Sequence, residues 1–216
     1  MLSGGLRLFQ YPNKKKYAQQ VKKDENIQKK APQSNTKKAT YDNRGMSFEE
    51  DINITNQYYV AQNISVIHKK PTPVQIVKVE YPQRSKAVIK EAYFQQPSTT
   101  DYNGVYRSKY IDFEAKETKN KTSFPLQNIH EHQVKHMQSV VQHGGIAFFL
   151  IRFATHQENY LLPLEVFLPK WSEYQKGGKK SIPYQFFVEN AHLIPVGFHP
   201  RIDYLKIIDK LYLVER

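Results

Sequence analysis

Tyr110-Ile111-Asp112-Phe113-Glu114-Ala115-Lys116 alternates apolar and polar residues at period two. Successive side chains on a β-strand point to opposite faces, so the pattern predicts a strand. Ile111, Phe113 and Ala115 share its apolar face, and Asp112, Glu114 and Lys116 share the other. Two carboxylates and an ammonium on one strand face are costly to bury unless they are paired or hold a cation.

Asp101, in Ser98-Thr99-Thr100-Asp101-Tyr102-Asn103-Gly104, precedes Glu114 by 13 residues. Gly104 and polar residues lie between the two, and a turn in that stretch would return the chain and set Asp101 beside Glu114. Two converging carboxylates make a hard-oxygen site of the kind Mg²⁺ takes, together with waters and phosphate oxygens. Such a cation polarises a scissile phosphate and lowers the pKa of a bound water. Lys116, on the same face, would stabilise charge developing on the phosphate or orient the water. This Asp…Glu-x-Lys arrangement is the PD-(D/E)XK nuclease signature. The bare motif is also met by chance in Lys-rich chains, and a solvated, salt-bridged strand face would carry the same residues.

Outward from this strand the chain alternates strands and helices, which predicts an α/β layer structure. Ser47-Phe48-Glu49-Glu50 has the capping-box form, with Phe48, Ile52, Tyr59 and Val60 forming a helical stripe after it. Ser65 to Lys69 reads as a short strand. Val74 to Val79 and Ala87 to Phe94 are strand-like, set among Pro71, Pro73, Pro82 and Pro97. Residues 70–95 thus read as an excursion from the core, a projecting stalk or an ordinary solvated meander. Glu131 to His143 reads as a helix stopped by Gly144-Gly145, and Ile146 to Phe153 as a buried strand. Tyr160 to Phe167 follows, then a short helix around Pro169 to Lys176 and a last one from Asp203 to Leu211. His132 and His136 have helical zinc-ligand spacing, but no general-base Glu follows in an HExxH pattern. Helix polarity or a DNA contact explains them more simply.

The 216 residues carry a net charge of +12, which points to a polyanionic partner, nucleic acid before anionic membrane. Residues 1–45 hold eleven Lys or Arg against three Asp or Glu, with few large aliphatics. Such a segment buries too little to offset its ordering entropy. It reads as a mobile basic arm for phosphates or a solubilising tail, and residues 46–216 as the folded domain. The chain has no cysteine, which excludes disulfides, thiol catalysis and Cys-ligated zinc. The longest apolar runs are too short to span a bilayer, and the N-terminus shows no secretory signal. A cytoplasmic protein without membrane association is expected.

Longer blocks add a resemblance. Asn43-Arg44-Gly45-Met46-Ser47-Phe48-Glu49-Glu50-Asp51, Ile67-His68-Lys69-Lys70-Pro71-Thr72-Pro73 and Gln96 to Gly104 resemble the RecU family of Holliday junction resolvases. So do Asp112-Phe113-Glu114-Ala115-Lys116-Glu117-Thr118, Thr122 to Leu126, His130-Glu131-His132-Gln133 and Gly144-Gly145-Ile146. The similarity runs over residues 43 to 200. It implies a restriction-endonuclease-like PD-(D/E)XK core: a mixed central sheet flanked by helices, with a projecting stalk and a basic N-terminal arm. It implies a homodimer that binds four-way junction DNA and cuts it by symmetric paired nicks in strands of like polarity. By position, Thr99, Asp101, Glu114 and Gln133 would be Mg²⁺ ligands, with Mn²⁺ a substitute, and Lys116 the transition-state stabiliser. The stalk would meet DNA through Lys69, Lys70, Lys78, Arg84 and Lys86, with Tyr81 or Phe94 stacking on bases or packing within the stalk. The resemblance also implies modulation of a RecA-type recombinase.

Two further readings stand beside a junction-cutting enzyme. A non-catalytic architectural junction-binding protein would use the same basic residues, but a pure phosphate binder gains nothing from paired carboxylates. A site-specific nuclease of restriction type would share the motif and fold and differ in substrate.

Overall fold

The computed structural model describes residues 47–83, 86–95 and 99–213. The basic arm expected over residues 1–45 and Arg84 lie outside these.

Ser47 caps helix α1 (Phe48–Ala61), its hydroxyl accepting the Glu50 amide at 3.2 Å, as the capping-box pattern predicts. Strand β1 (Val66–Lys69) leads into a long ribbon, β2 (Val74–Gln83) and β3 (Lys86–Phe94), paired antiparallel with each other and, among the described residues, with no other strand. Nearly every ribbon residue is exposed, which meets the expectation of a projecting stalk. Both of its strands are edges, so Pro82 displaces no ladder bond on an outer side.

Hairpin β4 (Tyr102–Tyr106) and β5 (Lys109–Thr118) follows. The turn expected between Asp101 and Glu114 falls at Arg107-Ser108, both with positive φ (45° and 61°). A two-residue loop with that geometry matches the twist of the strands it joins. Gly104 lies inside β4, and a Cβ there would sit 2.0 Å from the Val66 carbonyl oxygen. Its role is to let β1 approach closely.

β6 (Ser123–Pro125) and a single 3₁₀ turn precede helix α2 (Glu131–Gln142), which carries the chain over to β7 (Ile146–Phe153), parallel to β5. β8 (Glu158–Pro163) and helix α3 (Leu164–Gln175) come next. The sequence started this helix near Pro169, yet Pro169 lies within it. Burial of Leu164, Phe167 and Trp171 keeps the first turns helical despite the missing amide. β9 (Ser181–Pro183) pairs with β6, and α4 (Tyr184–Asn190), β10 (His192–Ile194) and α5 (Leu205–Tyr212) complete the described chain.

The central sheet has the order β1-β4-β5-β7-β8-β10, antiparallel except for β5–β7. It is a mixed sheet with helices on both faces. β7 shows why. Ile146, Phe148 and Leu150 join one core with residues of α1 and α5, while Ala147, Phe149 and Ile151 join a second with residues of α2, α3 and α4. A strand buried on both faces reads as a continuous apolar run, which is how Ile146 to Phe153 appears in the sequence.

The first core fixes the register that matters most. Tyr102, Phe113 and Phe148 stack across β4, β5 and β7, with ring centroids 4.8 and 4.9 Å apart. A slip of one residue would turn Phe113 outward and drive Asp112 and Glu114 into that core. The aromatic ladder therefore sets which face of β5 carries charge.

Candidate active site

Because Tyr102 pairs with Phe113, Asp101 lies beside Glu114 at the end of the β4–β5 ladder. The Asp101 amide donates to Glu114 Oε2 at 3.0 Å. From the same strand, Lys116 Nζ stands 2.7 Å from Glu114 Oε1. The three residues that the sequence singled out thus meet at one place.

Glu114 is wholly buried. Burial pushes its carboxyl up to about 7; the Lys116 ammonium opposes that shift and the Asp101 charge adds to it. Oε1 has no aligned hydrogen-bond donor in spite of the nearby ammonium. A buried carboxylate with an open lone pair, next to a second carboxylate that raises its pKa, suits a divalent cation. Among the described residues no group of three or more His, Cys, Asp or Glu is arranged to hold a metal. A site of two carboxylates fits Mg²⁺, which keeps several waters, better than an all-protein cage.

Two further expected ligands bring neutral oxygens. Thr99 is half-buried, its hydroxyl donating to the Thr100 carbonyl at 3.4 Å. Gln133 is buried in the first turn of α2, which packs on β5 and β7. Its Oε1 accepts the His130 amide at 3.1 Å, closing the helix start, and an amide oxygen keeps a second lone pair for another partner. His132, one residue before Gln133, has its pKa lowered by burial and then by the charges of His130 and Lys116. His130 and His132 stack at 5.5 Å.

Asp112, on the charged face of β5 but given no role by the sequence, is the centre of a second polar cluster. It is fully buried. It accepts hydrogen bonds from the Thr100 hydroxyl, from Lys70 Nζ at 3.0 Å and from the Tyr110 hydroxyl at 3.1 Å. His136 Nε2 lies 3.2 Å away. The sequence signal was present, in the second carboxylate at period two. The partners were not legible, because Lys70 and His136 come from distant segments.

The basic residues assigned to DNA contact divide into two kinds. Lys70 is held by Asp112, with 19% of its side chain exposed. Lys69 pairs with Glu49 at 2.6 Å, and both are open to solvent. Lys78 is exposed on the ribbon, 3.7 Å from Glu80, and Lys86 is exposed as well. Tyr81 is 72% exposed and Phe94 84%, so neither packs within the ribbon. Among the described residues no helix is long and apolar enough to cross a membrane.

Comparison with known proteins places this geometry in a family. The family described as Recombination protein U matches residues 43–210. A Bacillus mycoides protein named Holliday junction resolvase RecU is 57% identical over 204 residues, covering 94% of this chain and 98% of the relative. Relatives of the same name from Bacillus thuringiensis and Bacillus cereus are 56% identical over the same coverage. Among solved structures, Hjc of Archaeoglobus fulgidus, described as a Holliday junction resolvase, overlaps with a TM-score of 0.36 at 9% identity. That overlap covers 63% of this chain and 89% of that one, and is too slight to bear on function. The match over most of the length, at more than half identity, leaves one conclusion: the chain belongs to the RecU family.

Proposed function

We propose that this chain is a Mg²⁺-dependent endonuclease that resolves Holliday junctions, as the names of its relatives say of them. The observation that carries the reading is the meeting of Asp101, buried Glu114 and Lys116 at the edge of the β4–β5 ladder. Asp101 and Glu114, with oxygens of Thr99 and Gln133, would hold Mg²⁺ or Mn²⁺. The ion would supply Lewis-acid activation of the phosphate and a water of lowered pKa.

The chain's own residues do the rest. The Asp101 amide holds Glu114 Oε2, which leaves Oε1 facing the Lys116 ammonium with no aligned hydrogen bond. Lys116, with 22% of its side chain exposed, can leave Glu114 when a cation takes its place and turn its ammonium to the phosphate. The basic charge of the chain, with the ribbon and the arm at 1–45, draws the junction in by phosphate contact. Tyr81 and Phe94, exposed on the ribbon, can stack on unpaired bases at the junction centre.

The symmetric outcome, paired nicks in strands of like polarity, requires two sites, and we assign them to a cytoplasmic homodimer. Modulation of a RecA-type recombinase belongs to the same reading through the family.

The test is a synthetic four-way junction incubated with Mg²⁺, Ca²⁺ or no metal, beside linear duplex. We expect symmetric nicking of the junction with Mg²⁺ alone. Lys116→Ala and Asp101→Asn should lose cleavage by ~10²-fold or more and keep junction binding. Binding without cleavage under any divalent ion would establish the architectural reading instead, and equal cutting of linear duplex the restriction-type one.

A further inference from the structure

The Asp112 cluster sits where both legs of the ribbon meet the central sheet. Lys70 ends the leg that leaves β1, just before Pro71-Thr72-Pro73, and Thr100 ends the leg that returns to β4. Lys70 Nζ donates to Thr100 Oγ1 and to Asp112 Oδ2, each at 3.0 Å, and Thr100 Oγ1 donates to Asp112 Oδ1. The three side chains close a triangle. The Lys70 amide also donates to the Asp101 carbonyl at 2.7 Å. Asp101 is therefore held on both sides of its own peptide: by Lys70 through its carbonyl, and by Glu114 through its amide.

We propose that Asp112 is a positioning residue for metal binding, acting through Lys70 and Thr100 to fix the Thr99–Asp101 segment against Glu114. The inference rests on the metal-site reading above. Asp112 does not line the site itself, since its oxygens are taken by Thr100, Lys70, Tyr110 and His136. A wholly buried carboxylate has to be matched by donors, and here those donors include the residues flanking the ribbon. Thr100 stands between two of the proposed ligands, so its side chain sets how Thr99 and Asp101 are presented. A site whose ligands are pre-set binds its ion without first ordering a loop, and a loosened one loses affinity. The same triangle makes the base of the ribbon and the metal segment one unit. A shift of the ribbon on DNA is thereby passed to Asp101.

The discriminating variants are Thr100→Val, which keeps shape and β-branching but removes the hydroxyl, and Thr100→Ser, which restores it. Mn²⁺ binding to each full-length protein without DNA is measured by electron paramagnetic resonance, with Asp101→Asn as the control. Melting temperatures are taken alongside. We expect Thr100→Val to weaken Mn²⁺ binding ~10-fold or more, with Thr100→Ser near the parent. The Mg²⁺ concentration for half-maximal junction cleavage should rise in parallel for Thr100→Val, with little change in junction affinity in Ca²⁺. If Thr100→Val folds and binds Mn²⁺ as the parent does, the positioning role is overturned while the metal site stands. If it does not fold, Asp112→Asn takes its place under the same criterion. A parent that binds no Mn²⁺ would overturn the metal site and this inference together.

Discussion

At the scale of single residues, Glu114 gives the sharpest prediction. Its ordinary pKa of 4.5 is pushed up to about 7 in the folded, metal-free state, first by burial. A folded-state value above the unfolded one means that the fold holds this proton more tightly. Its contribution is therefore most favourable below about 4.5, declines as pH rises to about 7, and stays at its low level above that. Glu114→Gln cannot ionise. In EDTA it should melt several degrees above the parent at pH 8, with the gap closing towards pH 4.5. Mg²⁺ should raise the melting temperature of the parent at pH 8 and leave the variant unmoved. Scanning fluorimetry across pH, with and without Mg²⁺, checks both; a variant melting below the parent at every pH would contradict the assignment. Asp51 is the other residue with large leverage. It is 3% exposed and receives Arg152 and Arg201, each at 2.5 Å. Removing one partner of a buried pair leaves charge uncompensated, so Asp51→Ala should cost ~3–5 kcal/mol in urea unfolding.

Among the elements, the β4–β5 hairpin decides whether the site exists. Gly104→Ala would force a methyl onto the Val66 carbonyl of β1. A loss of ~2 kcal/mol or more is expected by denaturant unfolding, with cleavage failing in proportion to folding. At the true turn the sign reverses. Ser108→Gly relieves a positive φ of 61° and should gain ~0.5–1 kcal/mol. The hairpin also shows how much was legible in advance. Period two in residues 110–116 gave the strand, its two faces and the carboxylate beside Lys116, because alternation is a local property. A turn between Asp101 and Glu114 was legible, but not its exact place, because Arg107-Ser108 carries no glycine signal and Gly104 is demanded by a neighbouring strand. The three-residue strands β6, β9 and β10 were missed, being too short for any periodicity to register. Lys70 was read as a solvent-facing phosphate contact. Only the tertiary fold brings Asp112 beneath it, 42 residues further along the chain.

For the molecule as a whole, the governing quantity is charge. A chain with net charge +12 should bind junctions with an affinity that falls steeply with salt. Lys78→Ala and Lys86→Ala on the exposed ribbon should each lower the slope of log affinity against log salt by about 1. Neither should shift stability by more than ~0.5 kcal/mol, since solvent-facing pairs such as Lys78–Glu80 contribute little. Fluorescence anisotropy over a salt series, with a melting curve for each variant, measures the two effects separately. A ribbon variant that lost stability and binding together would mean that the ribbon is part of the core.

None of the described residues of the two-stranded ribbon belongs to either hydrophobic cluster, and Val74 pairs with Phe94 where it leaves the body of the molecule. A short glycine turn could close that gap. Mutations accumulating between those two positions would therefore be screened by what they do to substrate, not by whether the polypeptide survives. This makes the ribbon the part of the protein most free to diverge, and the natural place to graft a new specificity.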